Sequence, residues 1–173
     1  MYEIKPVNGV YRAFVDEQIT ANWAGPFVVS KGVLHDTRAH TGFVAVNGDA
    51  VTGYILYNIE ERSCEITVIE SLLEKQGIGA ALVDAVIQAA KRADCRRVWL
   101  ITTNDNTNAI RFYQRMGFSL YAVHINALEE SRRLKPQIPL VGFDEIPIAH
   151  EFEFELTLKR EIFAHMTTGG QDA

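Results

Sequence analysis

Residues 76–80 read Gln76-Gly77-Ile78-Gly79-Ala80 and stand between an apolar, strand-like run and a long alanine-rich run with helical spacing. This turn decides the fold, because a strand that leads through a turn into a helix begins a strand–helix–strand unit. The first N–H groups of a helix have no partner within it, and the helix dipole adds positive charge there. Two glycines let an anion approach the backbone closely, so the turn is a candidate phosphate site.

The spacing of apolar residues predicts the elements on both sides of the turn. Residues 64–69 alternate and are β-branched, which indicates a strand, and the apolar stripe that follows predicts a helix over residues 77–93. The apolar run 98–103 predicts a buried parallel strand, so an α/β sheet is expected. Similar reasoning predicts helices near 11–23, 109–116 and 127–134, strands near 2–7, 43–46, 51–59, 118–123 and 151–158, and loops over 30–41 and 136–147.

Composition and charge set the class of protein. The chain has 173 residues, of which 47% are hydrophobic and 23% charged, as expected for one globular domain over residues 1–166 with a disordered tail over 167–173. Its net charge of −5 argues against nucleic-acid binding, and no apolar run is long enough to span a membrane. The first residues lack the apolar core of a signal peptide, which predicts a cytoplasmic location.

Cys64 and Cys95 fall in predicted strands and are expected to be buried free thiols, with a disulfide or zinc site as the alternative.

The glycine turn does not match two common nucleotide-binding patterns. A dinucleotide fingerprint requires a third glycine where Leu82 stands, and a P-loop requires a Gly-Lys-Ser/Thr sequence that is absent. The alternative without a ligand is a turn that only packs a helix closely on a strand. The turn alone leaves both interpretations open.

A second motif follows about thirty residues later and reads Asn106-Thr107-Asn108-Ala109-Ile110-Arg111-Phe112-Tyr113-Gln114-Arg115-Met116-Gly117-Phe118. A strand, a glycine-turn helix, a strand and then N-x-x-A-I-x-F-Y-x-x-x-G-F resemble the acetyl-CoA-binding core of the GNAT acetyltransferase superfamily. Residues 62–118 carry the resemblance. The superfamily pattern [QR]-x-x-G-x-[GA] departs at its first position, which is Glu74 here.

The resemblance implies a mixed, mostly antiparallel twisted sheet with a central parallel strand pair and helices on both faces. It also implies an N-acetyltransferase that moves the acetyl group of acetyl-CoA directly to a primary amine, with no metal. Tyr113 is then expected to protonate the departing thiolate, and Glu65 or Glu70 to act as general base, with His124 or water as further candidates. The residues expected at the coenzyme are Val68, Ile69, Glu70, Gln76, Gly77, Ile78, Gly79, Ala80, Ala81, Asn106, Asn108 and Tyr113.

Several alternatives stay open at this point. A catalytically silent acyl-CoA-binding module would use the same turn, and a plain interaction domain would use it only for packing. The acceptor is unidentified, a small amine or a peptide, and segments 30–41 and 126–150 are expected to wall its site. Acidic residues in the second segment, Glu129, Glu130, Asp144 and Glu145, suit a cationic acceptor or form a solvated face. The alternating Phe-Glu strand could supply an edge for a homodimer.

Overall fold

The structure is a computed structural model that describes residues 1–73 and 75–159. Its strands are β1 (Glu3–Pro6), β2 (Phe27–Ser30), β3 (Val33–Asp36), β4 (Thr41–Asn47), β5 (Ala50–Glu60), β6 (Ser63–Ser71), β7 (Arg97–Thr103), β8 (Ser119–His124) and β9 (Glu151–Thr157). Its α-helices are α1 (Gly9–Asn22), α2 (Ile78–Arg92), α3 (Thr107–Arg115) and α4 (Ala127–Leu134). Short 3-10 turns cover Thr37–Ala39 and Phe143–Glu145.

Seven strands form one sheet in the order β1-β4-β5-β6-β7-β9-β8, and β2 pairs with β3 in a separate hairpin. Every pair in the large sheet is antiparallel except β6 with β7. The parallel pair arises because α2 carries the chain over one face of the sheet between these strands. The mixed sheet with a central parallel pair, expected from the sequence, is confirmed.

Each face of the sheet has its own apolar core. On one face, Ile78, Leu82, Val83 and Val86 of α2 are buried against the central strands, together with Tyr113 of α3. On the other face, residues from α1 pack on strands β4, β5 and β6. The predicted placement of helices on both faces is therefore also confirmed.

Three predictions about local structure are wrong. Residues 30–41 are not a loop throughout, because Lys31 and Gly32 have φ of 50° and 73° and turn the chain into the β2–β3 hairpin. Cys95 precedes β7 instead of lying within it, although it and Cys64 are buried free thiols as expected. Strand β9 lies between β7 and β8, so it offers no free edge for dimer pairing.

Two predictions concern residues outside the described part of the chain: the departure at Glu74 and the disordered tail at 167–173. Among the helices of residues 1–73 and 75–159, none has the length and apolar character required to cross a membrane.

Candidate active site

Strands β6 and β7 separate in the middle of the sheet and leave an open slot. Their parallel pairing joins Ser63–Ile66 to Arg97–Leu100 and ends there, although β6 continues to Ser71 and β7 to Thr103. Beyond the pairing, β6 remains bonded only to β5, and β7 only to β9. The facing edges of both strands therefore carry backbone groups that the sheet does not use.

A bulge in β6 opens the slot. Leu56 pairs with Val68 and Tyr57 with Ile66, so Thr67 has no opposite residue on β5. An extra residue of this kind bends a strand and increases its twist, which turns the second half of β6 away from β7. The bulge also reverses the alternation of side chains along the strand, because Ile69 packs on the α2 face and Val68 on the α1 face.

The phase of the β5–β6 ladder shows which backbone groups face the slot. Leu72 N–H donates to Thr52 O at 2.9 Å, which makes these residues a hydrogen-bonded pair. Because hydrogen-bonded and non-bonded pairs alternate in an antiparallel ladder, Val68 and Glu70 also direct their backbone groups to β5. Ile69 directs its N–H and C=O to the open edge. Of residues 68–70, Ile69 is therefore the residue whose backbone groups point into the slot, and the coenzyme site expected there stays a prediction.

Helix α2 begins at the glycine turn with unused N–H groups. Gly77 adopts the left-handed conformation, with φ of 73°, and no side chain caps the helix. Ala81 N–H donates to Gly77 O at 3.0 Å, so its amide is already engaged. The N–H groups of residues 77–80 have no acceptor in the described part of the chain, which fits an anion at this end of the helix. Of the residues expected at the coenzyme in this turn, Ala81 therefore has no free N–H group to offer.

Close packing places this helix start beside the slot. A Cβ atom added to Gly53 of β5 would lie 2.7 Å from Ile78 Cγ2 and 2.9 Å from Glu70 O. Only glycine permits such an approach of helix and strand. Gly53 was not identified from the sequence, since a single glycine within a strand does not reveal what approaches it.

Helix α3 brings the second motif to the same end of the sheet. The side chain of Asn106 accepts a hydrogen bond from Ala109 N–H at 3.1 Å and caps the helix, and Asn106 also lines the cavity beyond the slot. Asn108 is exposed and accepts a hydrogen bond from Arg111 at 3.3 Å. Gln76 is exposed near the free amides. Asn106 therefore caps α3 and also lines the cavity beyond the slot.

Tyr113 lies in the core with its ring against Phe118 and Phe154, and only 4% of the residue is exposed. Its hydroxyl group forms no hydrogen bond with the residues that the structure describes. Burial raises the pKa of Tyr113, so the hydroxyl keeps its proton well above neutral pH and can serve as a donor.

Glu65 projects from β6 into the cavity beyond the slot and is nearly buried. Ser30 Oγ donates to Glu65 Oε1 at 2.5 Å, and His35 Nε2 lies 3.9 Å from Oε2. Burial raises the pKa of Glu65, while the hydrogen bond from Ser30 and the charges of His35 and Lys31 oppose this effect. A carboxylate with a raised pKa at a cavity is suited to accept a proton.

The other two base candidates have different surroundings. The Glu70 carboxylate accepts hydrogen bonds from the Tyr54 hydroxyl and from Asn22 Nδ2, the latter at 3.2 Å, and does not line the cavity. His124 Nε2 lies 3.0 Å from Glu153 Oε2 on the far side of β9. Of the three candidates, the structure brings only Glu65 to the cavity.

The acidic residues of segment 126–150 do not face the cavity. Glu129, Glu130, Asp144 and Glu145 are all exposed, which agrees with a solvated face. The second carboxylate at the cavity is instead Glu151 of β9, which is 2% exposed. The sequence did not identify Glu151 as a cavity residue, because glutamates that alternate with phenylalanines along a strand normally face solvent.

Comparisons with known proteins agree with this geometry. Residues 10–118 match the Acetyltransferase (GNAT) family. The chain is 41% identical over 156 residues to YdhI of Bacillus subtilis (strain 168), an alignment that covers 89% of this chain and 97% of that protein. YxbD of the same organism is 35% identical over 149 residues, covering 86% of this chain and 94% of YxbD.

Solved structures share the fold at low sequence identity. A Bacillus subtilis acetyltransferase in complex with CoA has a TM-score of 0.69 and 18% identity, over 92% of this chain and 100% of that one. A GNAT family acetyltransferase from Elizabethkingia anophelis with acetyl-CoA bound has a TM-score of 0.67 and 16% identity, over 91% and 98% of the two chains. With a family match over most of its length, the chain belongs to the acetyltransferase (GNAT) family and is an acetyl-CoA-dependent acyltransferase.

Proposed function

We propose that this protein is an N-acetyltransferase that moves the acetyl group of acetyl-CoA directly to a primary amine. The observation that carries the proposal is the slot between β6 and β7, which has free amides at one end and the nearly buried Glu65 at the other. An extended arm with a diphosphate at one end and a thioester at the other fits this arrangement.

The backbone groups that face the slot and the start of α2 indicate which residues would hold acetyl-CoA. The N–H groups of residues 77–80 bind the pyrophosphate, and the open edge of β6 bonds the pantetheine arm as an added strand would. Ile69 N–H donates to the thioester carbonyl oxygen and stabilises the negative charge that develops on it. Bound acetyl-CoA supplies the activated acetyl group, and the protein supplies position and proton transfer.

Glu65 makes the amine a nucleophile. An alkylammonium with a pKa near 10 costs about 4 kcal/mol to deprotonate at pH 7, since each pKa unit is about 1.36 kcal/mol. Glu65 accepts this proton and releases it to water. The amine nitrogen then attacks the carbonyl carbon, the new C–N bond replaces the C–S bond, and nitrogen loses its second proton to water. Tyr113 donates a proton to the departing thiolate and regains one from water, so each turnover releases one proton to solvent.

The test measures CoA thiol release from acetyl-CoA with and without a panel of primary amines. The proposal predicts release that depends on the amine, together with the N-acetylated product by mass spectrometry. Thiol release that is equally fast without any amine, or acetylation of hydroxyl acceptors only, would contradict amine transfer. Tight binding of acetyl-CoA without any transfer would favour a silent acyl-CoA-binding module.

A further inference from the structure

A cavity of about 340 Å³ extends from the slot to the opposite side of the sheet from α2. It begins at Thr67 of β6 and Thr102 of β7, where these strands separate, and continues beneath the β2–β3 hairpin and α4. Its volume is at the lower end of the range for small-molecule pockets. Since Glu65 lines it, the cavity is the space from which an acceptor would reach the slot.

Two carboxylates form one wall of this cavity and are held by consecutive residues of the hairpin. Ser30 Oγ donates to Glu65 Oε1 at 2.5 Å, and Lys31 N–H donates to Glu151 Oε2 at 3.1 Å. Glu151 Oε1 accepts a further hydrogen bond from Ser131 Oγ at 3.1 Å. Ser30 and Lys31 are consecutive residues, so the same turn of the hairpin holds both carboxylates. Both acidic side chains therefore line the cavity from the side of the hairpin.

The cationic side chain at the cavity is already engaged. Lys135 Nζ donates to the backbone carbonyls of Trp23 and Phe27, at 2.6 Å for the latter. Among the described residues that line the cavity, no other lysine, arginine or histidine is present. The cavity is therefore lined by two carboxylates and by one lysine, which donates to backbone carbonyls and pairs with neither carboxylate.

The remaining walls combine apolar side chains with hydroxyl and amide side chains, and apolar surface is the larger part. Val28 of the hairpin and Leu128 of α4 are buried, and Ile138 and Pro139 close another side. The Arg132 guanidinium holds that loop by donating to Ile138 O at 3.3 Å and Pro139 O at 2.7 Å. These walls suit a compact apolar body better than a polypeptide, whose polar backbone would need partners along a groove.

We infer that the acceptor is a small primary alkyl- or aralkylamine without a carboxylate, bound with its ammonium group at Glu65 and Glu151 and its apolar body against Val28, Leu128 and Ile138. This inference rests on the proposed acetyl transfer and names the substrate class of the same site. Glu65 accepts the amine proton, and Glu151 binds the ammonium group through its carboxylate oxygens.

The first experiment compares acceptors that share one apolar body. We would measure kcat/KM with acetyl-CoA for 2-phenylethylamine, for phenylalanine and for a tetrapeptide that begins with phenylalanine. The amine should exceed both others by about 100-fold or more, because phenylalanine would bury a carboxylate near Glu65 and Glu151, and the tetrapeptide would bury a polar backbone. Equal or higher kcat/KM for phenylalanine or the tetrapeptide would overturn the inference and leave N-acetyl transfer intact.

Calorimetric binding of 2-phenylethylamine in the presence of CoA separates this inference from the proposed reaction. Absence of binding overturns the inference, whether or not any acceptor is acetylated. Binding that is not followed by acetylation of any acceptor supports the inferred class of ligand and contradicts the proposed transfer. Both arms use the unmodified protein, so neither depends on the folding of a variant.

The variant Glu151→Gln tests the second carboxylate. Its KM for 2-phenylethylamine should rise about 10- to 100-fold, the effect of losing a hydrogen bond to a charged group, while the Kd for CoA stays unchanged. Glu129→Gln is the matched control, since Glu129 is exposed on α4 and does not line the cavity. Equal KM values for the two variants would overturn the role of Glu151, as would loss of CoA binding in Glu151→Gln with the fold intact.

Discussion

Glu65 combines burial with a single short hydrogen bond, and this environment determines its chemistry. Burial disfavours its charged form and raises its pKa, while Ser30 stabilises that form and acts in the opposite direction. The carboxylate therefore titrates above the ordinary range of glutamate but remains available as a base. If Glu65 is the base, as proposed, this balance determines how the acetyl-transfer rate depends on pH.

We expect Glu65→Gln to lower kcat/KM about 10²- to 10⁴-fold, the usual contribution of a general base. In the unmodified protein the rate should fall on the acid side as Glu65 becomes protonated, with a midpoint above pH 4.5 because its pKa is raised. This acid limb should disappear in Glu65→Gln. The measurement is a pH–rate profile with Glu61→Gln, an exposed position, as control. An unchanged acid limb in Glu65→Gln would assign the base elsewhere.

Ser30→Ala should also shift the acid limb of the pH–rate profile. The Ser30 hydrogen bond favours the carboxylate form, so its loss raises the pKa of Glu65 further and shifts the acid limb to higher pH. Ser119→Ala, at an exposed position of β8, is the matched control. A shift to lower pH would contradict the assignment of the limb to Glu65.

Tyr113→Phe removes the hydroxyl group that would protonate the thiolate and keeps the aromatic ring. Because this hydroxyl has no partner among the described residues and the ring remains, the free energy of unfolding should change by less than about 1 kcal/mol. The chemical step should slow about 10- to 1000-fold, somewhat below the general range for acid catalysis. Pre-steady-state kinetics would measure that step, and the Kd for CoA should not change. An unchanged rate would remove Tyr113 from the mechanism.

At the scale of elements, helix α2 packs on the sheet and is also the proposed anion site. Its apolar side packs on the central strands, which fixes the direction of its axis. At its start, the N–H groups of residues 77–80 have no acceptor among residues 1–73 and 75–159 and lie beside the slot. The same helix therefore stabilises the sheet and places positive dipole charge where a diphosphate would lie.

Two substitutions at Gly79, one charged and one neutral, distinguish the effect of charge on CoA binding from the effect of side-chain size. A Cβ there would lie 3.5 Å from Phe112 Cζ, an ordinary contact, so both Gly79→Asp and Gly79→Asn should fold. An aspartate in the first turn favours the helix dipole by about 0.3–1 kcal/mol but repels a phosphate. Gly79→Asp should bind CoA about 100-fold more weakly than Gly79→Asn, as expected for like charges near a protein surface.

Isothermal titration calorimetry would give both CoA affinities, and thermal unfolding without ligand would report the stability of each variant. Equal CoA affinities in the two variants, both stably folded, would show that the first turn of α2 does not contact the phosphates.

The sequence predicted the elements that local patterns specify. Helix α4 lies at Ala127–Leu134 as predicted, and the hairpin at Asn47-Gly48 joins β4 to β5. The hairpin over Phe27–Asp36 was missed, because its turn residues, Lys31 and Gly32, resemble an ordinary polar loop. Glu151 was missed as a cavity residue for a related reason: its burial depends on Ser131 and Lys31, which are distant in sequence.

At the scale of the whole molecule, the slot connects the two sides of the sheet. The free amides and α3 lie on the side of α2, whereas the carboxylate-lined cavity lies on the side of the β2–β3 hairpin and α4. In the proposed reaction, the separation of β6 from β7 would let a thioester on one side reach an amine on the other. The right-handed crossover places α2 on one face of the sheet, and the hairpin lies on the opposite face.

The central claim is that the unpaired amides at the start of α2 bind the coenzyme's diphosphate and so direct the thioester into the slot. The most direct measurement is a titration of ¹⁵N-labelled protein with CoA, followed through the amide resonances of residues 77–80 and of Ile69. The account predicts that these resonances shift together and saturate with one affinity, and that 3′-dephospho-CoA shifts them equally. Saturable CoA binding that leaves the amides of residues 77–80 unmoved would contradict it.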